Sequence, residues 1–386
     1  MHNQESEARS QNEAISRELP LTRKDRLVSI DALRGFAMFL ILAIDIGGAP
    51  VFSTFTKLWG DSFAKAASQQ FSYGFCEGLR LCFIAMPMFL FIVGLVIPLS
   101  LRNKQPQKDK KGLYLHIVKR SLILFLLGLI AGGHLLQLTF TNMPLYNNVL
   151  EYISIGYLVC AIMVLNTSVR FQIIVTVVLL LAYWALFMFV PVPGWQGEPF
   201  SREMNLAIHI DNLVLGPFHR QGSWQVLATI TFIANMLLGV LMGHVILGGR
   251  NDKDKVKRLV LCGVALVVAG SVWSPLFPII RSLWTSSYVL VTCGLATLLL
   301  AAFYLVFDVW GHAKWALFFV VLGANSITVY MMAHLFDFRL IGNIFVGGLC
   351  RFLAPNVQDF VQAVTAMTVI WLIMYWMYSK KTFIKI

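Results

Sequence analysis

Long apolar runs separated by short polar segments dominate the chain. A helix that crosses about 30 Å of hydrocarbon at about 1.5 Å per residue needs roughly 20 apolar residues. We predict a membrane-spanning helix in each of ten such segments: 29–50, 79–101, 117–137, 148–165, 171–192, 223–247, 259–280, 286–307, 315–335 and 359–378. The pattern predicts an all-α polytopic transmembrane bundle, with residues 1–26 as a disordered tail and 27–386 as one transmembrane domain.

The composition agrees with this class. Of 386 residues, 58% are hydrophobic and 13% are charged, whereas soluble domains carry about 25% charged residues. This excludes a soluble enzyme, a disordered protein and a nucleic-acid binder. The six cysteines form no C-x-x-C pair and no H-E-x-x-H motif is present, so we expect neither a disulfide framework nor a metal site.

The 31 basic residues are distributed unevenly between the connections. They concentrate in the tail and in alternate connections such as RNKQPQKDKKG, GGRNDKDKVKR and the terminal SKKTFIKI. The positive-inside rule therefore predicts that both termini lie in the cytoplasm. The longer stretches 51–78, 193–222 and 336–358 on the opposite side carry turn formers and aromatic residues, so we expect a functional site to face outward.

Charged residues inside predicted spans are costly and often functional. Asp45 lies in the first span, where it either lines an outward cavity or is satisfied by loop backbone. Asp31 and Arg34 are three residues apart, which predicts a shared helix face. They form either a structural pair at the inner surface or a site where Arg34 meets a cytosolic phosphate group.

A second set of polar residues is predicted at the outer ends of the spans. Glu77 and Arg80 are three apart at the start of the second span, which predicts a shared face there. The others at this depth are Glu151, Arg281, Asn325 and His334. Each alone is more often structural than catalytic, but together they suggest one site, although spacing does not show that they converge.

Several sequence blocks resemble the heparan-alpha-glucosaminide N-acetyltransferase family and its bacterial relatives. The first is RLVSIDALRGFAMFLILAIDIGG, with the family's S-x-D-x-x-R-G pattern. The second is QQFSYGFCEGLRLCFIAMPMFLFIVGLVIPLSL, and later blocks follow in order: NLAIHIDNLVLG, QGSWQVLATITFIANMLLGVLMG, FPIIRSLWTSSYVL and LGANSITVYMMAH. The resemblance covers residues from about 26 to about 336.

The resemblance implies an enzyme that moves an acetyl group from cytosolic acetyl-CoA to a sugar amine on the far side of the membrane. It implies that Arg34 meets the CoA phosphates, and that Asp211 shapes the outer mouth of a chamber. Residues implied to line the chamber are Asp45, Glu77, Arg80, Arg281, Trp284 and Asn325, and Asn148 joins the binding set beside Glu151.

The chain departs from the family pattern at the catalytic position. The family's usual catalytic His, four residues before Glu77, is Tyr73 here. A tyrosine with a pKa near 10 is a poor base at neutral pH. A common Asp is replaced by Phe83, and a V-L-Q-R-I block reads VLEYI. Either Glu77, Glu151 or His334 acts beside or instead of Tyr73, or the function has changed.

Two functions of different classes follow from these observations. The leading one is an acetyl-CoA-dependent acyltransferase acting on an outer-face sugar or cell-envelope glycoconjugate in a bacterial inner membrane. The alternative is a non-catalytic transporter or flippase for a small polar or lipid-linked molecule, which the missing His favours. A membrane scaffold ranks third because it does not need intramembrane charges. The apolar faces of the fifth and tenth spans favour lipid contact and leave a homo-oligomer open.

Overall fold

The fold is a bundle of α-helices. The computed structural model describes residues 27–44, 49–59, 67, 70–71, 77–104, 110–133, 145–218, 225–249 and 251–384. Within these residues the helices are α1 Val28–Ile44, α2 Val51–Thr56, α3 Ala85–Lys104, α4 Lys110–Ala131, α5 Val149–Asn166, α6 Val169–Phe189, α7 Leu206–Val214, α8 Thr229–Leu247, α9 Asp252–Trp273, α10 Ser286–Phe303, α11 Leu317–Ala324, α12 Ser326–Leu335, α13 Phe338–Cys350 and α14 Pro355–Ser379.

The predicted all-α polytopic class is confirmed. Among the described residues, eight helices are long and apolar enough to cross a membrane, and α11 with α12 makes a ninth candidate if this bent pair is one span. The first helix, α1, has 17 described residues and overlaps the first predicted span. Each of the ten predicted segments therefore overlaps a helix, and the protein is an integral membrane protein.

Two side-chain hydrogen bonds define one end of the bundle. The Tyr114 hydroxyl of α4 donates to Asn166 Oδ1 of α5 at 2.7 Å, and the Tyr304 hydroxyl after α10 donates to Asp252 Oδ1 of α9 at 2.7 Å. We call this the basic end, because its connections carry Lys110, Lys111, Arg170, Lys253 and Lys257. The opposite end, where α5 and α10 begin, is the loop end.

Helix α1 is fixed at the basic end by a carboxylate from another element. The backbone amides of Val28 and Ser29 donate to Asp308 Oδ1 and Oδ2 at 3.0 and 3.1 Å. Asp308 lies in the π-helical extension of α10, Tyr304–Val309. A carboxylate suits the first turn of a helix because it accepts amides that have no partner within the helix.

Backbone contact between α1 and α11 depends on two glycines. A Cβ atom placed on Gly35 would lie 1.7 Å from the carbonyl oxygen of Phe319, and one on Gly323 would lie 2.0 Å from that of Asp31. Only residues without a side chain permit this approach. The contact sets the position of Arg34, which directly precedes Gly35.

The structure corrects one predicted pair of residues and adds detail to three predicted spans. The helices that contain the third and seventh predicted spans begin before those spans, at Lys110 and Asp252, because polar residues continue each helix beyond its apolar run. Glu77 and Arg80 do not share a helix face, because Arg80 has extended backbone and the 3-10 turn begins at Leu81. In the segment of the ninth predicted span, α11 and α12 meet at a bend of 59° at Asn325.

Candidate functional site

A cavity of about 90 Å³ lies inside the bundle between α1, α3, α4, α5 and α12. Its lining is mostly apolar, from Phe89 near the loop end of α3 to Leu101 near the basic end. The polar residues in the lining are Arg34, Ser100, Arg120, Tyr157 and Ser326. An apolar cavity with a few convergent polar groups is the usual form of a small-molecule site.

Arg34 forms the pair with Asp31 and also lines the cavity. Its Nη1 atom lies 3.7 Å from Asp31 Oδ1, so the pair predicted from their spacing is confirmed. The Arg34 side chain is about one fifth exposed and also lines the cavity. The Asp31 carboxylate is buried and is itself absent from the lining residues.

Arg120 is a cavity residue that the sequence analysis missed. It is the eleventh of the 22 residues of α4, and its guanidinium carbon lies 4.5 Å from the centre of the Tyr157 ring. With the third span predicted at 117–137, Arg120 falls in the first turn of that span. The signal that would have found it is the helix-compatible run KKGLYLHIV before it, which extends α4 and moves Arg120 to mid-helix.

Three predicted site residues meet at the loop end around Phe83. Glu77 forms an antiparallel β-bridge with Ile280, and the Gly78 amide donates to the Ile279 carbonyl at 2.9 Å. This bridge brings Arg281 next to the start of α3. The guanidinium carbons of Arg80 and Arg281 lie 5.7 and 5.4 Å from the centre of the Phe83 ring. We call Glu77, Arg80, Phe83 and Arg281 the Phe83 cluster.

Trp284 belongs to a buried aromatic stack behind this cluster. Its ring stacks on Phe232 with centroids 4.2 Å apart, and Phe232 stacks on Tyr152 at 4.4 Å. Trp284 has a φ of 53°, in the left-handed region that non-glycine residues rarely adopt. The Tyr288 hydroxyl donates to the Phe83 carbonyl at 2.6 Å, which ties the stack to the Phe83 cluster.

The hydroxyl groups of the WTSS segment bind backbone. Thr285 Oγ1 donates to the Pro278 carbonyl at 2.8 Å and accepts from the Ile280 amide at 3.1 Å. Ser286 Oγ donates to the Leu180 carbonyl at 2.8 Å. These bonds fix the turn that carries Arg281, so the segment positions the cluster through its backbone.

Glu151 and Asn148 form the N-terminal cap of α5. The amides of Tyr146 and Asn148 donate to Glu151 Oε2 and Oε1 at 2.6 and 3.2 Å, while Asn148 Oδ1 accepts from the Leu150 amide at 3.0 Å. This reciprocal arrangement is a capping box. Both carboxylate oxygens of Glu151 are therefore engaged by backbone, and its residue is 1% exposed.

His334 connects to this cap through a tyrosine. The Tyr330 hydroxyl donates to Asn148 Oδ1 at 3.2 Å, and its ring centre lies 4.2 Å from that of His334. The His334 Nδ1 atom lies 2.9 Å from the Tyr330 carbonyl oxygen. The structure thus groups Asn148, Glu151 and His334 around Tyr330, separately from the contacts that define the Phe83 cluster.

Asp211 and Asn325 occupy other places. Asp211 is fully buried on α7 and accepts the Val226 amide at 2.9 Å. Burial raises the pKa of Asp211 to about 7, although the bond from Val226 acts in the opposite direction. Asn325 donates to the Thr382 carbonyl at 3.1 Å and accepts the Ile384 amide at 3.2 Å, so its side chain binds the C-terminal segment.

Two predicted residues, Tyr73 and Asp45, lie outside the described residues. Within the described ranges, no group of three or more His, Cys, Asp and Glu side chains is arranged to hold a metal ion.

The fold and the site define a polytopic helical membrane protein with an internal arginine-containing cavity. The chain is distantly related to heparan-alpha-glucosaminide N-acetyltransferase. It is 25% identical to the mouse protein over 438 residues, covering 95% of this chain and 62% of the mouse protein. Identity to the human protein is 27% over 427 residues, covering 94% and 60% respectively. The chain spans about three fifths of the length of these curated relatives. No family model matches it.

Proposed function

We propose that the protein is a membrane acetyltransferase that uses acetyl-CoA. The observation that carries this proposal is the relationship to the N-acetyltransferases, which extends over 94–95% of this chain and so includes the helices that build the cavity. The acceptor is a sugar or cell-envelope glycoconjugate at the loop end. The protein lies in a bacterial inner membrane, with its basic end facing the cytoplasm. Both termini then lie on the cytoplasmic side.

The distribution of charge supports entry of the donor from the basic end. Acetyl-CoA carries several phosphate charges, which the lysines and arginines of this end attract. Arg34 lies two turns inside α1 and lines the cavity. The thioester arm then enters the bundle, while the acceptor approaches from the loop end.

Glu77 is the residue we assign as the acid–base group. Transfer requires that the attacking amine or hydroxyl loses a proton, that its nitrogen or oxygen bonds to the acetyl carbon, and that the proton is delivered to the departing CoA thiolate. Glu151 is held by two backbone amides, and His334 Nδ1 lies against a carbonyl. Glu77 is exposed and stands beside Arg80 and Arg281, whose donors suit a developing oxyanion.

The transporter alternative is favoured by the tyrosine at position 73, where the resembling family has its catalytic His. A transporter needs the cavity but has no use for a proton-accepting group beside two arginines. The two functions therefore differ in what Glu77 does, not in the shape of the bundle.

The test is release of CoA thiol from acetyl-CoA by the purified protein in detergent, with glucosamine as acceptor. Glu77→Gln is expected to lower turnover by about a hundredfold or more while acetyl-CoA binding is unchanged. The matched control is Glu198→Gln, which neutralises an exposed carboxylate in the loop after α6. If both variants turn over at the wild-type rate, Glu77 has no part in the mechanism. If the wild type does not bind acetyl-CoA, the acetyltransferase proposal is refuted.

A further inference from the structure

Within the part of the chain that the structure describes, Arg120 stands in the membrane-spanning part of the bundle without a neutralising carboxylate. Among the described residues, no Asp or Glu oxygen lies within 4.0 Å of its guanidinium, and its Nε atom is buried without a hydrogen-bond partner. The neighbour that favours its charge is the face of the Tyr157 ring. Arginine inside a span is costly, and where it occurs it usually faces a cavity and marks a substrate path.

The second arginine of the cavity adds to this charge. Arg34 and Arg120 both line the cavity, on α1 and α4. Asp31 Oδ1 lies 3.7 Å from Arg34 Nη1, a longer distance than the about 2.7–2.9 Å of a direct charge-assisted bond. The lining itself contains no carboxylate among the residues that the structure describes, so its formal charge is positive.

The start of α12 opens on the same cavity. Ser326 and Ile327, its first two residues, belong to the lining. The preceding Asn325 does not cap the helix with its side chain, because that amide is turned to the C-terminal segment. The first amides of a helix and its dipole favour an anion. The break in the ninth span therefore adds to the attraction that the two arginines exert.

We propose that Arg34 and Arg120 together bind a phosphate group in this cavity. Arginine suits phosphate because its planar donors form paired charge-assisted bonds, and a cavity of about 90 Å³ accommodates a group of this size. The Ser100 and Ser326 hydroxyls provide further donors in the lining. The phosphate belongs either to CoA, in which case this inference rests on the proposed function, or to the headgroup of a phospholipid.

The test compares Arg120→Ala with Lys119→Ala. Lys119 precedes Arg120 on α4 and is exposed, so its removal deletes the same charge without touching the cavity. Acetyl-CoA binding is measured by calorimetry in detergent, and retained phosphatidylglycerol is measured by native mass spectrometry. We expect Arg120→Ala to weaken binding of the phosphate compound by about tenfold to a hundredfold. Arg120→Lys keeps the positive charge but lacks the paired planar donors of a guanidinium, so it should retain part of the binding affinity.

The outcomes separate this inference from the proposed function. If the wild type binds acetyl-CoA and Arg120→Ala and Arg34→Ala each weaken it, while Lys119→Ala does not, the phosphate is that of CoA. If acetyl-CoA does not bind but phosphatidylglycerol is retained through Arg120, the phosphate site stands and the acetyltransferase proposal fails. If acetyl-CoA binds equally to wild type and to a monodisperse Arg120→Ala, and both retain phosphatidylglycerol equally, the site is refuted and the function survives. If acetyl-CoA binds equally but only the wild type retains phosphatidylglycerol, the site stands and its phosphate is that of the lipid. If the wild type binds neither compound, the phosphate site and the acetyltransferase proposal are both refuted.

Discussion

At the scale of single residues, the cavity depends on side chains whose positions are set by backbone contacts elsewhere. Arg34 lies where it does because Gly35 allows α1 to touch α11, and because Asp308 binds the first two amides of α1. Arg281 lies where it does because the adjoining Ile280 pairs with Glu77 and bonds to Thr285. The positions of both arginines therefore depend on contacts with other segments, in addition to the local structure of their own.

Replacement of Gly35 by alanine tests the first of these contacts. The new methyl group would overlap the Phe319 carbonyl, so α1 and α11 must separate. We expect a loss of about 1–3 kcal/mol in unfolding free energy, measured by thermal unfolding in detergent, together with weaker acetyl-CoA binding. Gly112→Ala is the control, because nothing lies within 4 Å of its Cβ position. Equal stability of the two variants would contradict the close contact.

Asp211 predicts a dependence of stability on pH. Its pKa rises from 3.8 in the unfolded chain to about 7 in the fold, so the protonated form is favoured by folding. The resulting stability is fully present below pH 3.8 and is lost as the pH rises through 7. The unfolding free energy of Asp211→Asn, relative to that of wild type, should therefore rise by on the order of 1–4 kcal/mol as the pH increases from 4 to 8. Thermal unfolding checks this, with Asp254→Asn as an exposed control; parallel curves for Asp211→Asn and wild type would contradict it.

At the scale of helices, caps and breaks decide the local structure more than hydropathy does. The cap of α5 joins Asn148, Glu151 and Tyr330 from two helices. The break at Asn325 is held from outside, by segment 382–384 beyond the end of α14. This segment turns back because Lys381 adopts a φ of 55° and the Thr382 amide bonds to the Met377 carbonyl at 2.9 Å.

Asn148→Ala should destabilise the protein through loss of the α5 cap. Removal of an Asn cap costs about 0.5–2 kcal/mol, and the Tyr330 hydroxyl also loses its acceptor. Asn148→Asp retains the acceptor oxygen and should unfold close to the wild-type temperature. Tyr330→Phe separates the second contribution from the first. A wild-type melting temperature for Asn148→Ala would show that the cap contributes nothing.

Asn325 and the C-terminal segment should behave as one unit. Asn325→Ala and deletion of residues 382–386 remove the same two hydrogen bonds, each contributing about 1 kcal/mol. We expect the two changes to be non-additive in a double-mutant cycle of thermal unfolding. Asn356→Ala is the control. The Asn356 side-chain amide donates to the Lys57 carbonyl, so the effect of this substitution on stability should be additive with that of the deletion. Full additivity with Asn325→Ala would contradict the contact.

At the scale of the whole molecule, helices divide into an inner and an outer group. In the most apolar stretch of α3, 78% of the residues are buried, and in that of α8, 67% are buried. The corresponding fractions in α6 and α9 are 28% and 17%. Helix α3 lines the cavity, and α8 contributes Phe232 to the aromatic stack. The apolar residues of the outer group face away from the bundle, and in a bilayer they contact lipid.

Much of this arrangement follows from the sequence, because hydrophobic length alone predicts where helices lie. The break at Asn325 does not, since an average over 20 residues hides one polar position. The position of Arg120 was missed for the opposite reason, because helix α4 continues into polar sequence. The Phe83 cluster joins residues about 200 positions apart. Its chemistry was visible in Glu77, Arg80 and Arg281, but the β-bridge that unites them has no local signal.

Transfer across a sealed membrane tests the central claim most directly. The protein is reconstituted in vesicles with glucosamine trapped inside and acetyl-CoA, labelled in the acetyl group, added outside. An acetyltransferase places the label on the trapped sugar and releases CoA thiol outside. Glu198→Gln should match the wild type, and Glu77→Gln should lower the signal by about a hundredfold or more. Unlabelled sugar that leaves the vesicles, with no CoA released, would instead identify a transporter and contradict the account.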